Sequence, residues 1–309
     1  MLSDMKTVMK HSMNCREWSL LLACSLFWGG SFFFVEVALQ GLPPFTLVFL
    51  RVGIAALALI TAAPILKIKL PRSKTVLVGF LVLGLTNNAI PFTLIAYGQT
   101  QISSSLASIL NATMPIWTVI IAHFWTVDEK LTMNRVAGVV FGLIGVGVMM
   151  GLDAFEKFGV ASLGQFAILG ATFSYGIAAV YARRFKAWGV PPMAIATGQL
   201  CASSLMILPI ALLVDQPWTL AMPGADIWLA ILGFAVLSTA LTYFLYFKFI
   251  ESAGATNASL VTLIVPVTAI FLGVFVLEET LETKHMMGMA IIAFGLVAID
   301  GRLFRKNHL

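Results

Sequence analysis

The chain is a succession of long apolar runs separated by short clusters of Pro, Gly, Lys, Arg and small polar residues. Ten such runs can be read: 18–39, 45–66, 75–97, 103–127, 135–152, 161–184, 193–214, 226–249, 253–277 and 285–300. Most are about 20 residues long, the length a helix needs to cross the hydrocarbon core of a bilayer. Strict two-residue alternation is absent, so a transmembrane β-barrel is excluded. The first run is too long for a secretory signal, lacks a clear cleavage site and is followed by nine more, so it reads as a helix that is kept. The pattern predicts an all-α membrane protein with ten transmembrane helices; the fifth and tenth are the shortest.

Composition agrees with this pattern. Of 309 residues, 60% are hydrophobic and only 11% charged, and the mean hydropathy is +0.96. A soluble chain of this length has no core large enough to hide so much apolar surface. Three cysteines, Cys15, Cys24 and Cys201, neither build a disulfide framework nor show metal-ligand spacing. The net charge of +5 is small and lies in short loops, so nucleic acid is not an expected partner. No cofactor is expected.

The basic residues test the count of spans. With the N-terminus in the cytoplasm, the inside segments hold Lys6, Lys10, Arg16, Lys67, Lys69, Arg72, Lys74, Lys130, Arg135, Arg183, Arg184, Lys186, Lys248, Arg302, Arg305 and Lys306. The outside loops hold only Lys157 and Lys284, and Arg51 lies within a span. Cytoplasmic loops collect Lys and Arg, and a missed or extra helix would scramble this division. The expectation is a multi-pass protein of the plasma membrane (the bacterial inner membrane) with both termini cytoplasmic.

The two halves match each other. Trp28-Gly29 aligns with Tyr175-Gly176, Pro43-Pro44 with Pro191-Pro192, Gly84 with Gly233, and Tyr97 with Tyr246. Ala107-Ser108 and Pro115 align with Ala258-Ser259 and Pro266, Glu129 with Glu279, Gly138 with Gly288 and Gly145 with Gly295. The order is kept across five helices, which single coincidences would not do. Residues 18–152 and 161–301 are thus two repeats, flanked by a tail at 1–17 and a basic tail at 302–309. Five is odd, so the second repeat enters the membrane from the opposite side. Such an inverted-topology pair lets one asymmetric unit serve two states, open to one side and then to the other.

The run Phe27-Trp28-Gly29-Gly30-Ser31-Phe32, with Leu42-Pro43-Pro44 and Leu50-Arg51, resembles the opening of EamA-like members of the drug/metabolite transporter superfamily. So do Tyr97, Ala107-Ser108, Pro115, Glu129, Gly138 and Gly145 and their second-half partners. The resemblance covers about residues 18–300. It implies a ten-helix fold with a cavity lined by the first, third and fourth helix of each half. It also implies peripheral fifth and tenth helices, packed on each other or on a second copy, so that the protein is a monomer or a homodimer. Members often export amino acids, metabolites or toxic compounds. At Glu36 the chain departs from the family, since many members carry a basic residue there.

A transporter site belongs near the midplane, where the repeats meet. On the implied cavity helices, the span centres hold Trp28, Asn87, Asn88, Asn111, Tyr175, Ser238, Thr239 and Thr262. This uncharged polar and aromatic set can bind the polar ends of a small solute and stack on its flat or apolar part. The same Asn, Ser and Thr side chains can instead bond helix to helix. Tyr97 and Tyr246, with Tyr243 one turn deeper, fall at opposite mouths, either as gates or as interfacial anchors. Glu36 and Arg51 are ionisable residues within spans joined by a short turn, which suggests an ion pair bracing the outer gate, or a purely structural pair. Pro115 and Pro266 each interrupt a cavity helix, as hinges or static kinks. Gly138-x-x-x-Gly142 and Gly147-x-x-x-Gly151 on the fifth helix allow close helix approach.

The function expected is a secondary transporter moving a small amphipathic metabolite, such as an amino acid or a drug-like compound, by alternating access, with export as the direction the family resemblance implies. Membrane lipid and a small-molecule substrate are the expected partners. No phosphate-binding loop or ATPase segment is present. An intramembrane enzyme would need a nucleophile with a base, matched carboxylates or a metal cluster, and none of these patterns occurs, so the protein is read as not an enzyme. A carrier of nucleotide-linked or lipid-linked sugars would favour several cavity cations, where this chain offers Arg51.

Overall fold

The computed structural model describes residues 13–65, 67–127, 131–150, 160–258 and 260–300. Ten helices carry the described chain: α1 Cys15–Leu39, α2 Pro44–Ala62, α3 Lys74–Gln99, α4 Ser104–Trp125, α5 Met133–Met150, α6 Val160–Ala187, α7 Pro192–Asp215, α8 Ala225–Ala253, α9 Val261–Val276 and α10 Thr283–Asp300. Each coincides with one predicted run. Eight are long and apolar enough to cross a membrane; the apolar stretches of α9 and α10, Ile264–Val276 and Thr283–Ile299, are shorter. No strand occurs among the described residues. The tails at 1–12 and 302–309, and Glu129, Gly151 and Ser259 from the repeat and glycine patterns, lie outside the described residues.

Local chemistry sets the helix ends. Asn14 caps α1 in a capping box: its Oδ1 accepts from Glu17 N at 3.0 Å, and Asn14 N donates back to Glu17 Oε2 at 2.9 Å. Pro43-Pro44 and Pro191-Pro192 open α2 and α7, where a residue without an N–H costs nothing in the first turn. Ser73 and Ser103 cap α3 and α4. The end of the bundle where α1 starts is called the near end below, and the end where α1 stops the far end.

The helix pairings come in twos. α1 packs on α9 and α6 on α4; α3 packs on α6 and α8 on α1; α3 packs on α7 and α8 on α2. Exchanging the first five helices with the second five maps each pair onto its mate, while α2–α7 and α5–α10 map onto themselves. The glycines repeat the relation. A Cβ on Gly29 would lie 2.6 Å from Thr268 Cβ, and one on Gly176 would lie 3.1 Å from Thr118 N, so each glycine admits the same threonine-bearing helix of the other half.

α5 and α10 form a seam of their own. Gly145 and Gly288 face each other, each with the other's carbonyl oxygen within 2.8 Å of where a Cβ would stand, and Gly138 faces Gly295 in the same way two turns on. The seam uses a seven-residue glycine spacing together with the four-residue Gly138–Gly142 pair read from the sequence, since a Cβ on Gly295 would lie 2.7 Å from the Gly138 carbonyl oxygen and 2.9 Å from Gly142 N. Gly142 turns to Ile116 on α4, and Gly147 faces open space.

Four helices lose regularity: α7 ends in a π turn over Ala211–Asp215, and the other three depart where polar residues gather. α3 becomes a π-helix over Gly84–Ala89 and α8 over Gly233–Leu241, at repeat-equivalent positions. α4 breaks between Asn111 and Met114, immediately before Pro115. Pro266 behaves differently from the expected interruption: α9 runs through it from Val261 to Val276, with a turn at Leu260 before its start.

Candidate functional site

The polar residues converge on the π-helical segments of α3 and α8. Asn87 Nδ2, from the π turn of α3, donates to Gln199 Oε1 on α7 at 3.0 Å and to the Tyr243 hydroxyl oxygen on α8 at 3.4 Å. The Tyr243 hydroxyl donates to Asn88 Oδ1 at 3.4 Å. Ser174 on α6 donates to the Thr86 carbonyl of the same turn at 2.7 Å. A π turn shifts the ladder by one residue and presents side chains that a regular helix would direct elsewhere, which is why such turns recur at functional sites.

Arg51 faces this network from α2. It is only 7% exposed. Its guanidinium carbon lies 3.4 Å from the Phe92 ring centroid and 4.0 Å from that of Phe234, so two aromatic faces clasp it. Its Nε donates to Thr239 Oγ1 at 3.0 Å, and that hydroxyl donates in turn to the Phe234 carbonyl at 2.9 Å. Tyr175 and Tyr243 lie near enough to interact with its charge. A charged side chain at mid-depth costs about 2.5–3.5 kcal/mol on insertion scales. Two desolvated cation–π contacts at about 1–2 kcal/mol each offset most of that.

Arg51 does not pair with Glu36. Glu36 Oε2 instead accepts from Gln99 Nε2 at 3.2 Å, and Gln99 also donates to the Phe32 carbonyl at 2.9 Å, tying α1 to α3 at the far end. Depth explains the failure of the expected ion pair. Glu36 is three residues from the end of α1, about 5 Å of rise, whereas Arg51 is seven residues into α2, about 10 Å.

Arg51 and Gln199 are repeat mates, each seven positions after the second residue of its Pro-Pro pair. Each reaches the π-helical turn of the opposite half. Sequence reasoning singled out Arg51 for its charge but missed Gln199, Phe92 and Phe234. The repeat itself carried the signal for Gln199, a polar residue at the place of an intramembrane arginine. The two phenylalanines carried none, being apolar residues among many. The second helix of each half thus contributes to the site, beyond the first, third and fourth.

The remaining candidates distribute around this centre. Trp28 stacks on Tyr246, ring centroids 4.8 Å apart, and Phe92 meets Tyr175 edge-on at 6.4 Å. Asn87, Tyr175 and Tyr243 are each partly buried. Asn88 Nδ2, Asn111 Oδ1 and Ser238 Oγ are buried without a hydrogen-bond partner. Thr262 is half-buried on α9. Tyr243 belongs to the central network rather than to a mouth, and Tyr97 is 44% exposed at the far end, away from its mate's stacked setting.

Two carboxylates from the second half brace the first at the far end. Glu279 accepts from Ser104 N at 2.7 Å, from Ser105 N at 3.0 Å and from the Ser105 hydroxyl, capping α4. Asp215 accepts from Thr46 N at 2.6 Å and Thr46 Oγ1 at 2.9 Å, capping α2. A carboxylate at a helix N-terminus meets unpaired N–H groups and the positive end of the dipole. The near end instead has a cleft of 880 Å³ between α4 and α6, lined by Trp125, Tyr181, Arg183, Arg184 and Lys186 among others.

Known proteins share this architecture. An uncharacterized transporter of Bacillus subtilis (strain 168), YoaV, is 27% identical over 282 residues, covering 89% of this chain and 94% of the relative. The uncharacterized inner membrane transporter YedA of Escherichia coli (strain K12) is 25% identical over 283 residues, covering 90% and 89%. A crystal structure at 18% identity superposes with a TM-score of 0.67, covering 94% of this chain and 98% of that one, and so shares the fold. The pattern of the EamA-like transporter family matches twice, at residues 17–151 and 162–299. With both halves matched across nearly its whole length, the chain belongs to the EamA-like transporter family and is a multi-pass membrane transporter.

Proposed function

We propose that the protein exports a small amphipathic metabolite by alternating access, with the two five-helix repeats inverted in the bilayer and the solute held between the π-helical turns of α3 and α8. The observation that carries this reading is the Asn87–Gln199–Tyr243–Asn88 network, set beside Arg51 and Thr239. It links both halves through partly accessible polar groups in an otherwise apolar bundle. Asn87 and Tyr243 supply hydrogen bonds, while Trp28, Tyr175 and Tyr246 supply aromatic faces for the apolar part of the solute.

The paired helix contacts support the inverted arrangement, because exchanging the repeats reproduces them. The far-end braces at Glu36–Gln99, Glu279 and Asp215 support a state closed at that end. In this reading the solute enters at the near end, and the far-end braces part to release it. A single central arginine suits a solute of one negative group better than a nucleotide sugar.

Flux into and out of proteoliposomes tests the reading, with amino acids and small amines as solutes and with or without an imposed pH gradient. Saturable counterflow is expected, weakened by Asn87→Ala. Absence of solute-dependent exchange from oriented, folded protein would remove it.

A further inference from the structure

The central cation has no anion of its own. Among the described residues Arg51 makes no ion pair, and Nε is its only nitrogen with a hydrogen-bond acceptor. The terminal amino groups of the guanidinium fork are therefore unspent. The π turns of α3 and α8, to which Arg51 and its repeat mate reach, carry unpartnered groups of donor character. Asn88 Nδ2 is buried without a partner while its Oδ1 accepts from Tyr243, which fixes the amide with the nitrogen free. Ser238 Oγ, adjacent to Thr239, is likewise buried and unpartnered. Arg51 is held rigidly between Phe92 and Phe234, so its fork keeps one orientation. A planar fork of donors without an ion-pair partner, with further unpartnered donors on the adjoining π turns, is the complement of a planar anion with two oxygens.

We propose that Arg51 is the receptor for a carboxylate of the transported solute, with Asn88 and Ser238 as auxiliary donors, so that the substrate class is amino acids and related organic monoacids rather than amines. This rests on the transport reading above and adds the chemical group recognised. Phe92 and Phe234 position the fork without touching the carboxylate oxygens. They also shield the pair from water, which strengthens each charge-assisted bond.

The test is a thermal-shift titration of the purified protein in nanodiscs with compounds that share one side chain and differ in the head group. The probes are phenylalanine, phenylalaninamide, phenethylamine and 3-phenylpropanoate, with the corresponding leucine series and chloride as controls. The acids and amino acids are expected to bind at least about tenfold more tightly than the amides and amines, a difference of about 1.4 kcal/mol. Arg51→Met is expected to abolish that preference. If Arg51→Met does not fold, Arg51→Lys carries the comparison: a loss of acid binding of about tenfold with amine binding unchanged supports the proposal. Unchanged acid binding in the folded variant overturns it. So do equal binding of amides or amines, stabilisation by chloride to the same degree, or no binding of any carboxylate at millimolar concentration. Flux of amines with carboxylates ignored would overturn the carboxylate assignment and leave the transport reading standing. Carboxylate binding without flux would keep the assignment and remove the transport reading.

Discussion

At the scale of single residues, the bundle places its few polar groups where each has a definite task. Gln199 gives Asn87 its shorter hydrogen bond, at 3.0 Å. Replacing Gln199 with Leu removes that acceptor from a largely dry setting, so a loss of about 1–3 kcal/mol is expected. Thermal unfolding in detergent checks it; an unchanged melting temperature would mean that the network contributes nothing to stability. Glu279 is the second case. Glu279→Ala strips the first turn of α4 of its carboxylate cap and is expected to cost about 1–2 kcal/mol, with Glu279→Gln in between. The same variants are expected to loosen the far end, read as faster hydrogen exchange at Ser104 and Ser105. The Glu279 cap was hard to see beforehand for a physical reason. A side chain that caps another helix does so across 174 or 175 positions of sequence, and no local pattern marks its partner.

At the scale of helices, departures from regular geometry fall where the halves exchange contacts. α3 and α8 switch to π geometry at Gly84 and Gly233, an equivalence already visible in the glycine pattern, although glycines alone say nothing of π geometry. The α5–α10 seam depends on close approach. Gly145→Leu is expected to overpack it at a cost of about 1–3 kcal/mol, whereas Gly147→Leu faces open space and is expected to stay within about 0.5 kcal/mol of the parent. Equal effects of the two in thermal unfolding would contradict the seam. The break before Pro115 makes a second element-scale case. Pro115→Ala restores an N–H for the Asn111 carbonyl, so the protein is expected to gain up to about 1 kcal/mol. If that break flexes during transport, flux slows while solute affinity stays unchanged; an unaltered rate would make it a static kink.

At the scale of the whole molecule, orientation in the membrane is the property on which the transport cycle turns. Cysteines placed at Gln40, at the far end, and at Ser73, at the near end, in a background lacking Cys15, Cys24 and Cys201, report it directly. A membrane-impermeant maleimide is expected to label Gln40→Cys in intact cells and Ser73→Cys only after lysis; the reverse pattern would invert the direction of every step. The ten helices and the matching of the halves could be read from the chain alone, but not all the helix ends: α9 starts at Val261 rather than at 253, and α2 stops at Ala62 rather than at 66. Helices in a bilayer must satisfy their backbone internally, so an apolar run of sufficient length has one structural outcome, and a duplicated sequence repeats it. Which side chains meet was decided only in three dimensions. Glu36 and Arg51 are neighbours in sequence and opposite in charge, yet their depths differ and they find Gln99 and Thr239 instead. Local hydropathy determines that a segment crosses; the rotation and depth of that segment against its neighbours determine what it touches, and those follow from packing between residues far apart in the chain.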